Sequence, residues 1–343
     1  MAFIDKVNTV VVTKILPDVT DGVFRNDPLL AFFRKNSVTP WQGGVAYQEN
    51  VLYNSYVPLA FASGDTFSLA DNQLITGATV SLRKYGVGVT VQYDKIKIDM
   101  AGPLAAFDML DAQMQVAGFS LSGLLTNDLY KDGQGSGRTL SINGLDEALN
   151  DGSTTGYRGS SFSSYLTVAR SSVNGALNSP MTGPAADVSG SISYPILESA
   201  WQSCVRGPEK PDLMITSNLG FSYIKMAFQP QQRFETTEPD FGFTAQQLNG
   251  TKIVASNYTP GTRTASTVDT NLGYAAIATG ETLWYLNTKK FRLYVSTDPL
   301  FSFGFTGFKV AQDSLIMSGQ YLAAVNFTCQ APWSSRYLFN ITG

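Results

Sequence analysis

The amino-acid sequence predicts an α+β protein, with one long helix set into a chain that otherwise reads as strands. Residues 103–130 carry the helix. Leu104, Phe107, Leu110, Met114, Ala117, Leu121, Leu124, Leu125 and Leu129 recur at spacings of three and four, the period of one apolar helix face. Pro103 stands at the first position, where its fixed φ and missing N–H are harmless. Strand patterning fills residues 39–94 and much of the chain after Ile253. Charge supplies the third observation. Asp, Glu, Lys and Arg make up only 15% of the 343 residues, against about 25% in an average chain. Ser and Thr supply 63, so much of the polar exterior is neutral hydroxyl. A chain that buries most of its exterior against copies of itself is expected to look like this.

In chain order, the first forty residues read as an extended arm. Val10, Val11, Val12, Ile15 and Leu16 form a short apolar stretch that Pro17 ends. A short helix follows from Pro28 through Phe33, with Asp27 as its N-cap. In the β-rich segment Val80 and Leu82 are apolar on even positions, whereas Val87, Val89 and Val91 are apolar on odd ones. Side chains alternate faces along a strand, so a parity switch across Lys84-Tyr85-Gly86 predicts a bulge or sharp twist. That suits a β arm reaching out of a domain, with a compact barrel as the competing picture.

A helix over 103–130 is a rod of about 42 Å, weakened by Gly118 and Gly123 and closed by Lys131 and Gly133. Leu145 to Leu149 predicts a helical turn, and residues 150–190, rich in Ser, Thr and Gly, predict irregular chain. Further helices are expected from Tyr194 through Val205, stopped by Gly207-Pro208, and from Asn218 to Gln229. Strands follow at Ile253 to Ala255, and at Leu283 to Asn287 and Phe291 to Val295 around a Thr288-Lys289-Lys290 turn. A long run from Leu315 to Thr328 comes last.

The chain has no histidine, which removes Ser-His-Asp and Cys-His nucleophiles, histidine bases and histidine metal ligands. Cys204 and Cys329 are too few for a thiolate zinc site and read as small core residues of a reduced compartment. Net charge is −3, and Lys and Arg cluster no further than pairs such as Arg34-Lys35 and Arg83-Lys84. A nucleic-acid binder needs a basic stripe to displace counterions; none is visible. The N-terminus lacks a signal-peptide pattern and no window approaches a membrane span, so a soluble, intracellular protein is expected.

Four motifs are weak. Ser81-Leu82-Arg83-Lys84 fits the Ser-x-x-Lys pattern of penicillin-binding enzymes but falls in strand-patterned sequence, where positions i and i+3 face opposite sides. Gly133, Gly135 and Gly137 resemble half a phosphate loop without its lysine. Asp108 and Asp111 pair two carboxylates that a helix N-terminus already explains. The sequons at Asn249, Asn257, Asn326 and Asn340 are about as many as chance gives. No catalytic, cofactor or metal residues are therefore assigned. Tyr53, Tyr56 and Phe61, aromatics in the β segment, are the candidate inter-subunit contacts.

The second half carries a resemblance. The segment SISYPILESAWQSCVRGPEKPDLMITSNLGFSYIKMAFQPQQRF from Ser191 is similar to a stretch of tailed-phage major capsid proteins. There a helix, a Gly-x-x-x-Pro-Asp turn and a buried strand lead to a short helix and a Gln-Gln-Arg-Phe tail. NGTKIVASNYTPG resembles that family's Gly-x-x-Val-Val strand, ETLWYLNTKKFRLYV its hairpin with a Leu-Asn-Thr-Lys turn, and SGQYLAAVNFTCQAPWSSRYLFNITG its closing strand and return. The likeness covers roughly Tyr157 to Gly343; the first half matches only in the order arm, extended β-loop, long helix.

The resemblance implies a Hong Kong 97-type capsid fold. Its parts would be an N-terminal arm (1–38), an extended β-loop (39–94) and a peripheral domain with the spine helix (95–205). An axial domain (206–304) and C-terminal strands returning to the peripheral domain (305–343) would complete it. It implies a non-enzymatic protein that assembles through hexamers and pentamers into an icosahedral shell around double-stranded DNA. The shell would be built in the host cytoplasm and kept in the virion, with portal and scaffolding proteins as partners, with or without a decoration protein. The alternatives are an encapsulin-type compartment shell, a β-rich extracellular adhesin and, more distantly, a carboxylate hydrolase. Some relatives cross-link subunits through a lysine on the extended loop. Here no lysine lies between Lys35 and Lys84, so a shell without covalent links is expected.

Overall fold

The computed structural model describes residues 27–56, 58, 60–63, 73–92, 103–133, 140–181, 186–228, 236–237, 245–261, 280–310 and 316–343. The apolar stretch at 10–16, the side chains of Leu104, Phe107 and Asp108, and Gly135 and Gly137 lie outside these residues. Helix α1 (Pro28–Asn36) starts where the sequence places it. The extended Asp27 accepts the N–H groups of Leu29 (2.9 Å) and Leu30 (3.3 Å), satisfying donors the first turn leaves open.

Strand β1 (Val38–Trp41) follows, then an antiparallel hairpin of β2 (Tyr47–Leu52) and β3 (Ile75–Val80), in which Leu52 faces Ile75 and Tyr47 faces Val80. Next come β4 (Arg83–Gln92), helix α2 (Pro103–Leu129), the single turn α3 (Leu145–Ala148) and the two-residue strands β5 (Ser164–Tyr165) and β6 (Val168–Ala169). Then follow β7 (Asp187–Ser191), α4 (Tyr194–Ser203), β8 (Leu213–Thr216), α5 (Asn218–Phe228), β9 (Thr236–Thr237), β10 (Ala245–Leu248) and β11 (Thr251–Ala255). The chain closes with β12 (Glu281–Leu286), β13 (Phe291–Ser296), β14 (Gly304–Phe305), β15 (Lys309–Val310), β16 (Ile316–Cys329) and β17 (Arg336–Thr342).

Two large sheets organise 13 of these 17 described strands, while β2–β3 and β5–β6 pair separately. In the six-stranded sheet β16 is the axis: β4 lies antiparallel along one edge, and β13, β14 and β15 share the other, with β1 parallel outside β13. The seven-stranded sheet runs β7-β17-β12-β8-β11-β10-β9 and is mixed. Its central strands β8 and β12 are buried along their whole length. Met214, Ile253, Leu283, Tyr285 and Leu338 face α4 and α5, while Ile215, Val254, Trp284 and Tyr337 join the main core. Burial on both faces is why these segments read as unbroken apolar runs.

The long helix buries Leu110, Met114, Ala117, Leu121, Leu125 and Leu129 and packs on β4 and β16. Its other face leaves Val116 and Phe119 exposed, at 64% and 52%. Tyr85 of β4 ties the two together: its hydroxyl donates to Asp128 Oδ2 (3.0 Å) and accepts the N–H of Ile142 (2.9 Å).

Three expectations need correction. No bulge or register shift interrupts β4, which pairs with β16 at every position from Arg83 to Gln92. The parity switch marks a change of sheet. β3 buries Ala78 and Val80, β4 buries Tyr85, Val89 and Val91, and Ser81-Leu82 carries the chain between them. Likewise β12 and β13 do not form a hairpin: the first belongs to the seven-stranded sheet and the second to the six-stranded one. Helix α4 stops at Ser203, before Gly207-Pro208, because Cys204 turns back to donate to Trp201 O (3.1 Å) and Arg206 then bridges Glu209.

Candidate functional site

Among the described residues none of the chemical motifs assembles into a reactive set. Ser81 lies on the link between β3 and β4, where its carbonyl accepts from Asn326 Nδ2 (2.6 Å), and Lys84 sits in β4 over the Phe301 ring. Asp111 accepts from Gln115 one helical turn on (3.0 Å). Among the described residues no group of three or more acids or cysteines is placed to hold a metal ion. Cys204 and Cys329 are buried free thiols, pushed up by burial to about 11 and about 12, as small core residues are. No described helix is long and apolar enough to cross a membrane.

Among the described residues, several exposed apolar side chains lie on the β2–β3 hairpin and the chain just beyond β2. Strand alternation turns Glu49, Val51, Ala78 and Val80 inward and Leu52 and Ile75 outward. Leu52 and Ile75 are directly opposed and are 67% and 53% exposed, forming an apolar cross-strand pair on the outer face. Beyond them, Tyr56 and Phe61 are 67% and 63% exposed, whereas Tyr53 is partly buried and packs on the core. The three candidate contacts thus share one element but not one face. Sequence reading missed Leu52 and Ile75; their opposed placement depends on the register of two strands separated by a long tip.

The inward face is unusual because it contains an acid. Glu49 accepts the hydroxyl of Tyr294 (2.5 Å) and the amide of Gln330, and lies 3.7 Å from Arg292 Nη1. Burial and the adjacent Glu49 carboxylate hold the Tyr294 hydroxyl well above its ordinary range, so the tyrosine remains a neutral donor. Trp41 meets Tyr47 and Tyr294 edge-on, at 6.2 Å and 5.8 Å, and the two tyrosines meet at a tilt.

A second buried polar region joins the end of α2 to the seven-stranded sheet. Asp146 accepts from Tyr337 (2.9 Å), and burial pushes its carboxyl up to about 7; Arg158 opposes the shift, while Asp132 and Glu147 add to it. Arg170, also buried, donates to the carbonyls of Phe162 (2.9 Å), Leu177 and Glu147 and so ties two loop segments to helix α3. Asp27 behaves like Asp146: burial raises it to about 6, against the hydroxyl of Ser256 and the N–H groups of Leu30 and Leu29.

No family model matches the chain, and no curated protein matches it in sequence. Solved structures do match in fold. The cyanophage A-1(L) capsid asymmetric unit is 14% identical, with a TM-score of 0.62 over 92% of this chain and 93% of that one. The capsid of an empty GTA particle gives 10% identity and a TM-score of 0.54 over 91% and 90%. The holo-SrpI encapsulin complex from Synechococcus elongatus PCC 7942 gives 9% identity and 0.54 over 91% and 87%. The chain has the α+β fold of phage capsid proteins, the Hong Kong 97-type fold.

Proposed function

We propose that this chain is the major capsid protein of a tailed phage, assembling through hexamers and pentamers into a closed icosahedral shell around double-stranded DNA. The observation that carries the reading is the match to the cyanophage capsid subunit over more than nine tenths of both chains. Composition supports it: a subunit with 15% charged residues has an exterior suited to burial against copies of itself. A net charge of −3 without basic clusters suits a container in which DNA slides instead of adhering. The protein acts by shape, without catalysis, and its first partner is itself. Portal and scaffolding proteins are further partners, with or without a decoration protein; assembly takes place in the host cytoplasm and the finished shell belongs to the virion.

Within this reading residues 1–38 form the arm, 39–94 the extended loop, 95–205 the peripheral domain, 206–304 the axial domain and 305–343 the returning strands. Tyr56 and Phe61, with Tyr53 behind them, are the loop's contacts to the neighbouring subunit. A second reading, an encapsulin-type compartment, is favoured by the encapsulin match alone. Negative-stain microscopy of the purified protein tests both, since a shell former gives closed polyhedral particles. A stable 37.1 kDa monomer in light scattering at high concentration, with and without a scaffolding protein, would sink both. Particles purified from cells separate the two, one holding DNA and the other holding protein cargo.

A further inference from the structure

The inner face of the β2–β3 hairpin packs on the core through Val51, Ala78 and Val80, and among the described residues each strand adds one polar tie to the rest of the subunit, neither of which folding alone favours. On β2 the fastening is Glu49, 3% exposed in a face otherwise made by Val51, Ala78 and Val80. Its cross-strand neighbour is Ala78, small enough for the carboxylate to reach Tyr294 and Arg292 on β13 and Gln330 just past β16. An acid inside an apolar seam stabilises no better than a hydrocarbon of similar volume, but it accepts only one seating. On β3 the fastening is Thr79. Its N–H donates to Leu166 O (3.2 Å), and its hydroxyl bonds the hydroxyl of Thr167 (2.7 Å).

Leu166 and Thr167 form the two-residue turn between β5 and β6, with φ of 48° and 71°. Turns with two left-handed residues ordinarily use Asn, Asp or Gly. A β-branched threonine in that conformation is a backbone outlier, and it persists only where the surroundings hold it. At the hairpin root Gly43 and Gly44 take φ of 119° and 96° without crowding, the conformations of a hinge only glycine makes easily.

We propose that Glu49 and Thr167 are positioning residues that seat the hairpin at one angle on its own subunit, so that it meets the neighbouring copy already aimed. Without the two polar ties the hairpin would be held by apolar contacts alone, which fix its angle less sharply, and Gly43-Gly44 would let it shift among angles of which a closed shell accepts few. The inference rests on the shell reading above and adds which residues fix the approach of the contacting element.

The test compares the full-length wild type with Glu49→Ala, Glu49→Gln and Thr167→Gly by three readouts. The Thr79 amide bonds outward to Leu166, whereas the Tyr53 amide bonds Leu74 O within the hairpin (3.1 Å). Hydrogen exchange at Thr79 therefore reads seating, and at Tyr53 it reads hairpin integrity. Thermal melting reads the subunit, and electron microscopy reads particle shape. Thr167→Gly relieves the left-handed strain, so melting should hold or rise while Thr79 exchange quickens about tenfold. Particles should become fewer and irregular. Glu49→Ala should do the same to Thr79 and to particles with Tyr53 unchanged. Glu49→Gln keeps an acceptor for Tyr294 and should fall between. Wild-type Thr79 exchange and wild-type particles in both Glu49→Ala and Thr167→Gly would overturn the proposal, as would a fall in melting temperature for Thr167→Gly with no change at Thr79. If the wild type forms no particles while the variants still expose Thr79, the seat stands and the shell reading fails.

Discussion

Asp212 takes both donors of Thr288, the backbone N–H at 2.7 Å and the hydroxyl at 2.6 Å. Thr288 is 1% exposed and stands where the chain leaves β12 for β13. The same residue's carbonyl accepts the hydroxyl of Ser37 (2.8 Å), and Asn287 N–H donates to Ser335 Oγ (3.0 Å). Side chains from three distant segments therefore hold Asn287 and Thr288, two of the four residues between the two strands.

Replacing that carboxylate should be expensive. Asp212→Ala strands a buried N–H and costs about 2–4 kcal/mol in urea unfolding, with Asp212→Asn losing less because one acceptor remains. Unchanged unfolding in both variants would mean that the junction is held by something other than Asp212.

The two faces of α2 should respond oppositely. Leu121→Asp puts an unpaired carboxylate where the wild-type side chain is fully buried, costing several kcal/mol unless the acid is neutralised. Phe119→Asp lies on the exposed face and should leave subunit stability within about 0.5 kcal/mol. Soluble, assembling Leu121→Asp protein would show the helix to be turned the other way.

Subunit stability should carry an inverted acid component. Asp27 and Asp146 have folded values of about 6 and about 7 against an ordinary 3.8, so the folded state binds their protons more tightly. That contribution is full below about pH 4 and is lost as pH rises through 6 and 7. Asp146→Asn removes its share. The stability of wild type minus variant should therefore fall between pH 4.5 and 8 by on the order of 3 kcal/mol; a difference that rises with pH refutes the assignment.

Much of the fold was legible where the signal is local. The period of three and four in α2, the Asp27-Pro28 start of α1 and the long strand-like run of β16 each depend on neighbours along the chain. What failed was partner choice. Lys84-Tyr85-Gly86 and Thr288-Lys289-Lys290 look locally like a twist and a hairpin turn, yet the chain simply passes between sheets, at Ser81-Leu82 in the first case and at Thr288-Lys289-Lys290 in the second. The deciding contacts, β4 on β16 and Asp212 on Thr288, come from far along the sequence. At the hairpin, Tyr56 and Phe61 were visible as aromatics in a β segment. Glu49 had left a trace, since an acid sharing the parity of Val51 is out of place on an inward face. Thr167 had left none, because two positive φ angles at Leu and Thr have no sequence signature.

Mature particles should fall apart without chemical cleavage. With no lysine between Lys35 and Lys84, the hairpin carries no amine for an isopeptide bond. Boiling in detergent with reducing agent should give one gel band near 37.1 kDa. A ladder of multiples, or protein too large to enter the gel, contradicts this.

Both thiols should be silent in the native subunit. Cys204 and Cys329 are at most 1% exposed and held protonated by burial. A colorimetric thiol reagent near pH 8 should find none before denaturant and two after it; rapid native reaction would place one of them at the surface.

The unbroken register of β4 on β16 also decides how the subunit bears force. The hairpin runs into β4 through Ser81-Leu82, and β4 matches β16 from Arg83–Val325 to Gln92–Ile316 without a slip. A pull on the hairpin along the strand axis therefore loads the whole ladder in shear, so its hydrogen bonds must yield together. A pull across the axis would peel them one at a time at far lower tension. In the proposed shell, tension transmitted along that line from a neighbour would meet the stronger direction of the sheet.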